Sequence, residues 1–350
     1  MSRSAARTPS SLRLNPLPLA AALLMGSAGA WAQEADPAQV VVSGSAVPRA
    51  SDTVPFAVGV VGREALRSAG PMLNLSEALA QVPGLVVNNR SNYAQDLQIS
   101  SRGFGARAGF GVRGLRLYTD GIPASGPDGQ GQVSHFDLAG AERIEVLRGP
   151  FSVLYGASSG GVVSLFSAPV RGPQAEFALD AGSDGLRQVR GSVGTAWGEG
   201  LSMRASAALM DYDGFRPQSE ASRESAQAQL GWTHGAERLT LRLSHLRQNA
   251  QDPLGLTREA FDADPLQTVS NAIAFDTRKE LSQTQLGASW LHTLEAGPLR
   301  DTQLSVYGGQ RRVTQWQAIP VAAQGSPRHG GGVVDFDRGY GGGEARARLG

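Results

Sequence analysis

The stretch Leu239-Thr240-Leu241-Arg242-Leu243 puts three leucines on one face of an extended chain and a threonine and an arginine on the other. Met203-Arg204-Ala205-Ser206-Ala207-Ala208-Leu209 repeats the pattern, with Met203, Ala205, Ala207 and Leu209 alternating against Arg204 and Ser206. A strand with one apolar and one polar face suits a water-soluble sheet, and it equally suits a membrane barrel with a wet interior. Periodicity alone leaves both open.

The connections decide between them. Outward from residue 239, tight links at Gly198-Glu199-Gly200, His234-Gly235-Ala236 and residues 295–299 alternate with longer ones at 213–221, 249–279 and 317–335. The alternation follows a first hairpin at Gly182 to Gly185. Short turns on one rim and long polar loops on the other describe an outer-membrane barrel, whereas loops beyond about 12–15 residues are uncommon in compact soluble domains. The template predicts about eight strands between residues 175 and 350. Trp197, Trp232 and Trp290 fall near the short-turn ends, where an aromatic girdle meets the lipid interface.

The N-terminus gives the compartment. Arg3, Arg7 and Arg13 precede the apolar run 17–25, and small residues lead to Ala30-Trp31-Ala32. A basic region, a short apolar core and an A-x-A site make a secretory signal peptide over residues 1–32, too short and too broken by Pro18 to span a bilayer as a helix. With no cysteine, disulfides and thiolate metal sites are excluded. A net charge of +1 over 350 residues carries no footprint for nucleic acid. Glycine, at 45 residues, is about twice its usual share without a collagen period, which points to turns and close backbone approach.

Residues 54–170 read differently, as a small α/β unit. Asn74 caps a short helix over 73–79 that Pro83-Gly84 ends, and short strands are expected at 85–87, 97–100, 113–119 and 143–147. Asp120-Gly121 is a turn pair. Glu142, Arg143, Glu145 and Arg148 interleave charge signs along one strand.

Taken together, Val82-Pro83-Gly84, Ile99-Ser100-Ser101-Arg102-Gly103-Phe104, Leu117-Tyr118-Thr119-Asp120-Gly121-Ile122-Pro123, Glu142-Arg143-Ile144-Glu145-Val146-Leu147-Arg148-Gly149-Pro150 and Leu154-Tyr155-Gly156, ending in Gly160-Gly161-Val162-Val163, resemble the plug of TonB-dependent outer-membrane receptors. The resemblance is close over the plug and one of style over the strands. It implies a bacterial outer-membrane barrel of about 22 strands, occluded by the plug and importing ferric siderophores, cobalamin or other scarce nutrients. The fold class expected is therefore mainly β: a small α/β plug followed by an incomplete antiparallel transmembrane barrel. Eight strands enclose no room for a plug, so the chain is expected to be a truncated or partial receptor.

The resemblance also implies partners and sites. Gln39-Val40-Val41-Val42-Ser43, within a flexible segment 33–53, is similar to the TonB box that pairs with a periplasmic TonB-type energy-transducing protein, by strand addition. Plug loops expected to face outward offer Tyr93, Phe104 and Phe110 for apolar contact with a metal chelate, and Arg107 and Arg113 for charge-assisted bonds. Glu142, Arg143, Glu145 and Arg148 are expected to meet the barrel wall.

No catalysis is expected. Gly103-Phe104-Gly105-Ala106-Arg107-Ala108-Gly109 lacks the spacing and the GK[ST] of a phosphate loop, the five histidines lack ligand spacing, and no G-x-S-x-G elbow occurs. No cofactor or resident metal is expected. The competing readings are a passive porin-like or adhesive barrel, lacking plug and box, and an exported soluble β protein.

Overall fold

The structure, a computed structural model, describes residues 41–42, 49–50 and 57–349, except 90, 110, 127, 132, 134–135, 150–151, 157, 199 and 295–298. The predicted signal peptide lies outside the described residues, as do Gln39, Val40, Ser43 and Phe110.

The N-terminal part begins with the short pair β1 (Val41–Val42) and β2 (Arg49–Ala50), antiparallel to one another. Then come β3 (Ala57–Gly62), helices α1 (Arg63–Ser68) and α2 (Leu75–Leu79), β4 (Leu85–Asn88), β5 (Gln98–Ser101), β6 (Leu115–Thr119), β7 (Ile122–Pro123), β8 (Ala141–Arg148), helix α3 (Ser152–Tyr155) and β9 (Gly161–Ser167). A mixed five-stranded sheet has the order β3-β8-β9-β6-β7, with β6 and β9 parallel and the other pairs antiparallel. The hairpin β4-β5 stands apart from it. The core is apolar and closed: Leu79, Ile99, Leu115, Leu117, Ile144, Val163 and Leu165 are all fully buried.

Local chemistry explains two of these elements. Asn74 accepts the Ser76 N–H and the Glu77 carboxylate reaches back to the Asn74 N–H, a capping box that starts a helix of only five residues. Tyr118 pairs with Pro123 and Thr119 with Ile122, leaving Asp120 (φ 50°) and Gly121 (φ 78°) as a two-residue hairpin tip with both residues left-handed, as a type I′ turn requires.

The second part is one sheet of eight strands in sequence order: β10 (Gln174–Ala181), β11 (Arg187–Trp197), β12 (Leu201–Tyr212), β13 (Ala221–His234), β14 (Glu237–Gln251), β15 (Arg278–Thr293), β16 (Leu299–Trp316) and β17 (Val333–Leu349). Every neighbouring pair is antiparallel. The loop between β14 and β15 contains two short helices, α4 (Arg258–Ala263) and α5 (Ser270–Ala274), which the reading of that segment as plain loop missed. Thr257 caps the first by accepting the Ala260 N–H, so the stretch had a start signal.

Register turns the sequence alternation into two faces. One lateral row runs Trp197, Leu201, Trp232, Leu239, Trp290, Leu304 across six strands, just inside the short turns. Leu230, Leu241 and Val306 belong to the next row, and these large apolar side chains are exposed. The opposite face carries Gln188, Arg204, Arg242, Ser244, Gln248, Lys279, Gln283 and Arg311, all buried. An apolar exterior around a polar interior inverts a soluble sheet and fits a strand wall in lipid. No helix among the described residues is long and apolar enough to cross a membrane, which says nothing of strands.

Candidate functional site: the interface between plug and wall

The polar face of β10–β17 does not meet water alone; it meets the plug. Nearest the short-turn rim, Arg346 of β17 stacks its guanidinium over the rings of Tyr118 and Tyr155, which meet edge-on at 5.4 Å. The Tyr118 hydroxyl donates to Glu344 at 3.0 Å. Burial pushes that phenol up to about 12, with Arg346 opposing, so it stays protonated and remains the donor.

The strongest tie lies at the hairpin tip. The Asp120 carboxylate accepts the Ser167 N–H at 2.8 Å, the Ser167 hydroxyl at 2.7 Å and Nη1 of Arg242 at 2.8 Å. Arg242 also donates to Ser167 Oγ at 3.0 Å and to Gln227 Oε1 at 2.8 Å. Only 8% and 12% of the Arg242 and Asp120 side chains are exposed, so the pair is held largely out of water. Beside it Gly121 holds φ 78°, a conformation side chains rarely adopt, and a Cβ there would also press on the amide end of Gln303 of β16. Across from it Gly287 of β15 lets Ile122 approach, where a Cβ would lie 2.6 Å from the Ile122 side chain.

Further ties follow along the wall. Arg204 of β12 donates to the Gly140 carbonyl at 2.6 Å and Ser206 to Asp137 at 2.8 Å. Gln285 of β15 donates to the Pro123 carbonyl. Toward the long loops, Lys279 pairs with Asp96 at 2.7 Å, Gln248 donates to the Tyr93 carbonyl at 2.7 Å, and Gln188 donates to the Pro71 carbonyl at 2.9 Å. Asp252, at the root of the long loop between β14 and β15, accepts from Asn92 at 2.7 Å and from Gln95 at 2.5 Å. That loop is braced on its neighbour by Arg216, which donates to the carbonyls of Gln267 and Leu254, and by Thr268, which donates to Pro217.

The residues singled out from sequence fall in three places. Glu142, Arg143, Glu145 and Arg148 lie on or at the end of β8, and their described bonds run inside the plug: Arg143 to the fully buried Glu145 at 2.8 Å, Arg148 to the Pro83 carbonyl, and Glu142 to Arg63 at 3.7 Å. The link to the wall is made one residue removed, because Arg63 and Arg67 of α1 both reach Glu176 of β10. Tyr93 packs edge-on against Tyr212 of β12 at 5.6 Å between ring centres, inside the interface. Phe104, Arg107 and Arg113 are exposed on the plug and are not gathered with Tyr93 into one cluster. Of the predicted TonB box, only Val41 and Val42 are described, as β1.

Asp120, Asp137, Asp96 and Asp252 were not chosen from sequence as interface residues, because an aspartate in a turn or loop is ordinary. For Asp120 a signal lay in its partner: Arg242 occupies the polar face of the stretch quoted first, and a cation there, like Arg204 on its own strand, demands a carboxylate or carbonyl across the lumen.

Comparison with known proteins agrees with this architecture. Residues 50–163 match the model of the TonB-dependent Receptor Plug Domain. The chain is 31% identical over 160 residues to the vitamin B12 transporter BtuB of Photobacterium profundum, covering 41% of this chain and 25% of that one. It is 31% identical over 163 residues to an iron-regulated outer membrane virulence protein of Vibrio cholerae, covering 44% and 24%. The solved structure of the ferric citrate transporter FecA, unliganded, superposes with a TM-score of 0.63 at 17% identity, over 76% of this chain and 41% of that one. The copper transporter OprC gives 0.61 at 16%, over 85% and 43%. The matches thus span about a quarter of the length of these sequence relatives. Residues 50–163 thus match the plug domain of TonB-dependent receptors, and the whole chain, plug and eight-stranded sheet together, has the fold of part of such outer-membrane structures.

Proposed function

We propose that this chain serves TonB-dependent uptake of a scarce nutrient across the bacterial outer membrane, with a ferric siderophore or related metal chelate as cargo. The observation that carries the reading is the plug seated against the wall through side-chain hydrogen bonds and ion pairs, with Asp120 and Arg242 at their centre. A passive pore keeps its lumen open. A lumen closed by polar, re-formable bonds needs work to open, because each bond is exchangeable for water without breaking an apolar core.

In this reading, residues 1–32 are the signal peptide, 33–53 the segment with the TonB box, 54–170 the plug and 175–350 the wall. Gln39, Val40, Val41, Val42 and Ser43 pair with the periplasmic energy-transducing protein by strand addition. The extended Val41–Val42, paired with Arg49–Ala50 and lying outside the five-stranded sheet, supports that role. Exposed Phe104, Arg107 and Arg113, with Phe110 beside them in sequence, meet the chelate from the plug; Tyr93 reports its arrival to the interface.

Growth of cells with and without the gene on a panel of iron chelates, cobalamin and copper tests the cargo. The expected result is a growth defect confined to one or more ferric chelates. A defect confined to cobalamin or copper would reassign the cargo. Uptake that survives deletion of residues 40–42 would remove the energised mechanism.

A further inference from the structure

Between the plug and strands β11–β14 lies a cavity of about 120 Å³. That is room for several waters, since one needs roughly 10–15 Å³ by this measure. Its lining is mixed: Leu97, Val112, Phe136 and Leu281 face it, and Asn92, Gln188, Ser206, Ser225 and Gln248 supply amide and hydroxyl groups. Leu73 and Tyr93 of this lining also belong to an apolar cluster with Ala94, Met210, Ala221 and Ala250, on which Tyr212 packs.

The carboxylates that line this space are engaged. Asp96 holds Lys279 and the Gly111 N–H, Asp137 holds Ser206 and the Gly140 N–H, and Glu176 holds Arg67. Just behind the lining, Glu77 accepts the N–H groups of Met72, Leu73 and Asn74. The cations are not all so placed. Arg190 has Asp180 at 3.5 Å and the Pro71 carbonyl at 3.4 Å, while Arg223, on the inward face of β13, has no hydrogen-bond or ion-pair partner among the described residues. Glu77 and Tyr93 are close enough to feel its charge, yet neither is bonded to it. A guanidinium costs free energy when it leaves bulk water without an acceptor, and its fork matches a carboxylate bidentately.

We infer that Arg223 is an anion-holding residue, and that the cavity between plug and wall takes a small, singly charged carboxylate in its fork, with the neighbouring glutamines and serines donating or accepting around it. Single charge is favoured because Asp96, Asp137 and Glu176 line the space and Glu77 lies near Arg223, and a dianion such as phosphate is repelled by them more strongly. The site is a property of the folded chain and goes beyond the uptake reading: it stands whether or not transport is energised.

The test labels arginines of the purified, detergent-solubilised protein with 2,3-butanedione and reads each site by peptide mass spectrometry. Arg223 is expected to react faster than Arg204 and Arg242, whose guanidinium groups are bonded. Acetate is expected to slow Arg223 several-fold, while chloride at equal ionic strength and inorganic phosphate do not, and Glu77→Gln is expected to leave that protection in place. Protection lost in Glu77→Gln, protection by chloride, stronger protection by phosphate, or an Arg223 that does not react would each overturn the inference. In that event Arg223 is a water-bridged counter-charge to Glu77. None of these readouts involves uptake, so failure here and failure of the transport reading are separate results.

Discussion

At the scale of the residue, Asp120 and Arg242 carry the most weight, because their charges are desolvated together. A surface ion pair contributes about 0–1 kcal/mol, whereas removing one partner of a buried pair costs about 3–5 kcal/mol. Ser167 keeps two bonds to Asp120 after Arg242 is gone, so Arg242→Ala should fall near the lower end, about 3 kcal/mol. A double-mutant cycle with Asp120→Asn, read by denaturant unfolding in detergent, should give a coupling above that of surface pairs; a coupling near zero would mean the pair is solvated. Glu77 offers a second case. Burial raises its carboxyl above the ordinary glutamate value, against three backbone N–H bonds and Arg223, so the folded state prefers the proton. Its contribution is fully present below the unfolded value near 4.5 and is lost as pH rises through the raised folded value. Glu77→Gln should flatten stability across that window, at an offset of about 1 kcal/mol for one N–H bond lost, because the amide offers a single acceptor oxygen. Wild type and variant showing the same slope of unfolding midpoint against pH would refute the assignment.

At the scale of the element, the strands were legible because lipid and lumen impose a strict period of two. The eight strands of the sheet follow from alternation plus loop length, and Leu239 to Leu243 show why: register places Leu239 and Leu241 in exposed rows and Arg242 against the plug. Leu241→Arg should therefore cost about 2–4 kcal/mol, the depth-dependent cost of a cation on the lipid face, and lower the folded fraction seen by heat-modified mobility on gels. Thr240→Arg, on the inward face, should cost less if the face assignment holds. The plug was legible only in pieces. The Asn74 cap and the Asp120-Gly121 turn are local chemistry and were readable, but β3 and β9 were not predicted as strands, since their partners β8 and β6 lie far along the chain. Short buried strands of a mixed sheet have no alternation to betray them. Interface partners were illegible for a related reason: the hydrogen bond between Ser206 and Asp137 spans 69 residues, and nothing local to either marks it.

At the scale of the whole molecule, the plug is held by many modest polar bonds together with one apolar cluster of Leu73, Ala94, Met210, Ala221 and Ala250. Each neutral or singly charged tie contributes about 0.5–1.5 kcal/mol, or more where both groups are charged. Together they hold the plug firmly, yet they can be exchanged for water one at a time, which an interlocked apolar core cannot do. On the uptake reading, opening would part the plug from the wall along the line of Asp137, Asp120 and Asp252 rather than unfold its sheet. Because the chain has no cysteine, a single engineered pair reports on that line without background. Asp137→Cys together with Ser206→Cys, bridged by a reducible bis-maleimide, joins plug to β12 at a point where their side chains already meet at 2.8 Å. On the uptake reading, and with the bridge placed in a receptor whose barrel is complete, cells should bind cargo at the surface and fail to import it, and reduction of the bridge should restore import. The two substitutions without the bridge should import normally, which separates the effect of the tether from that of the lost hydrogen bond. Import that proceeds unchanged with the bridge closed would mean that the plug keeps its contact with β12 throughout, and that the passage opens within the plug instead.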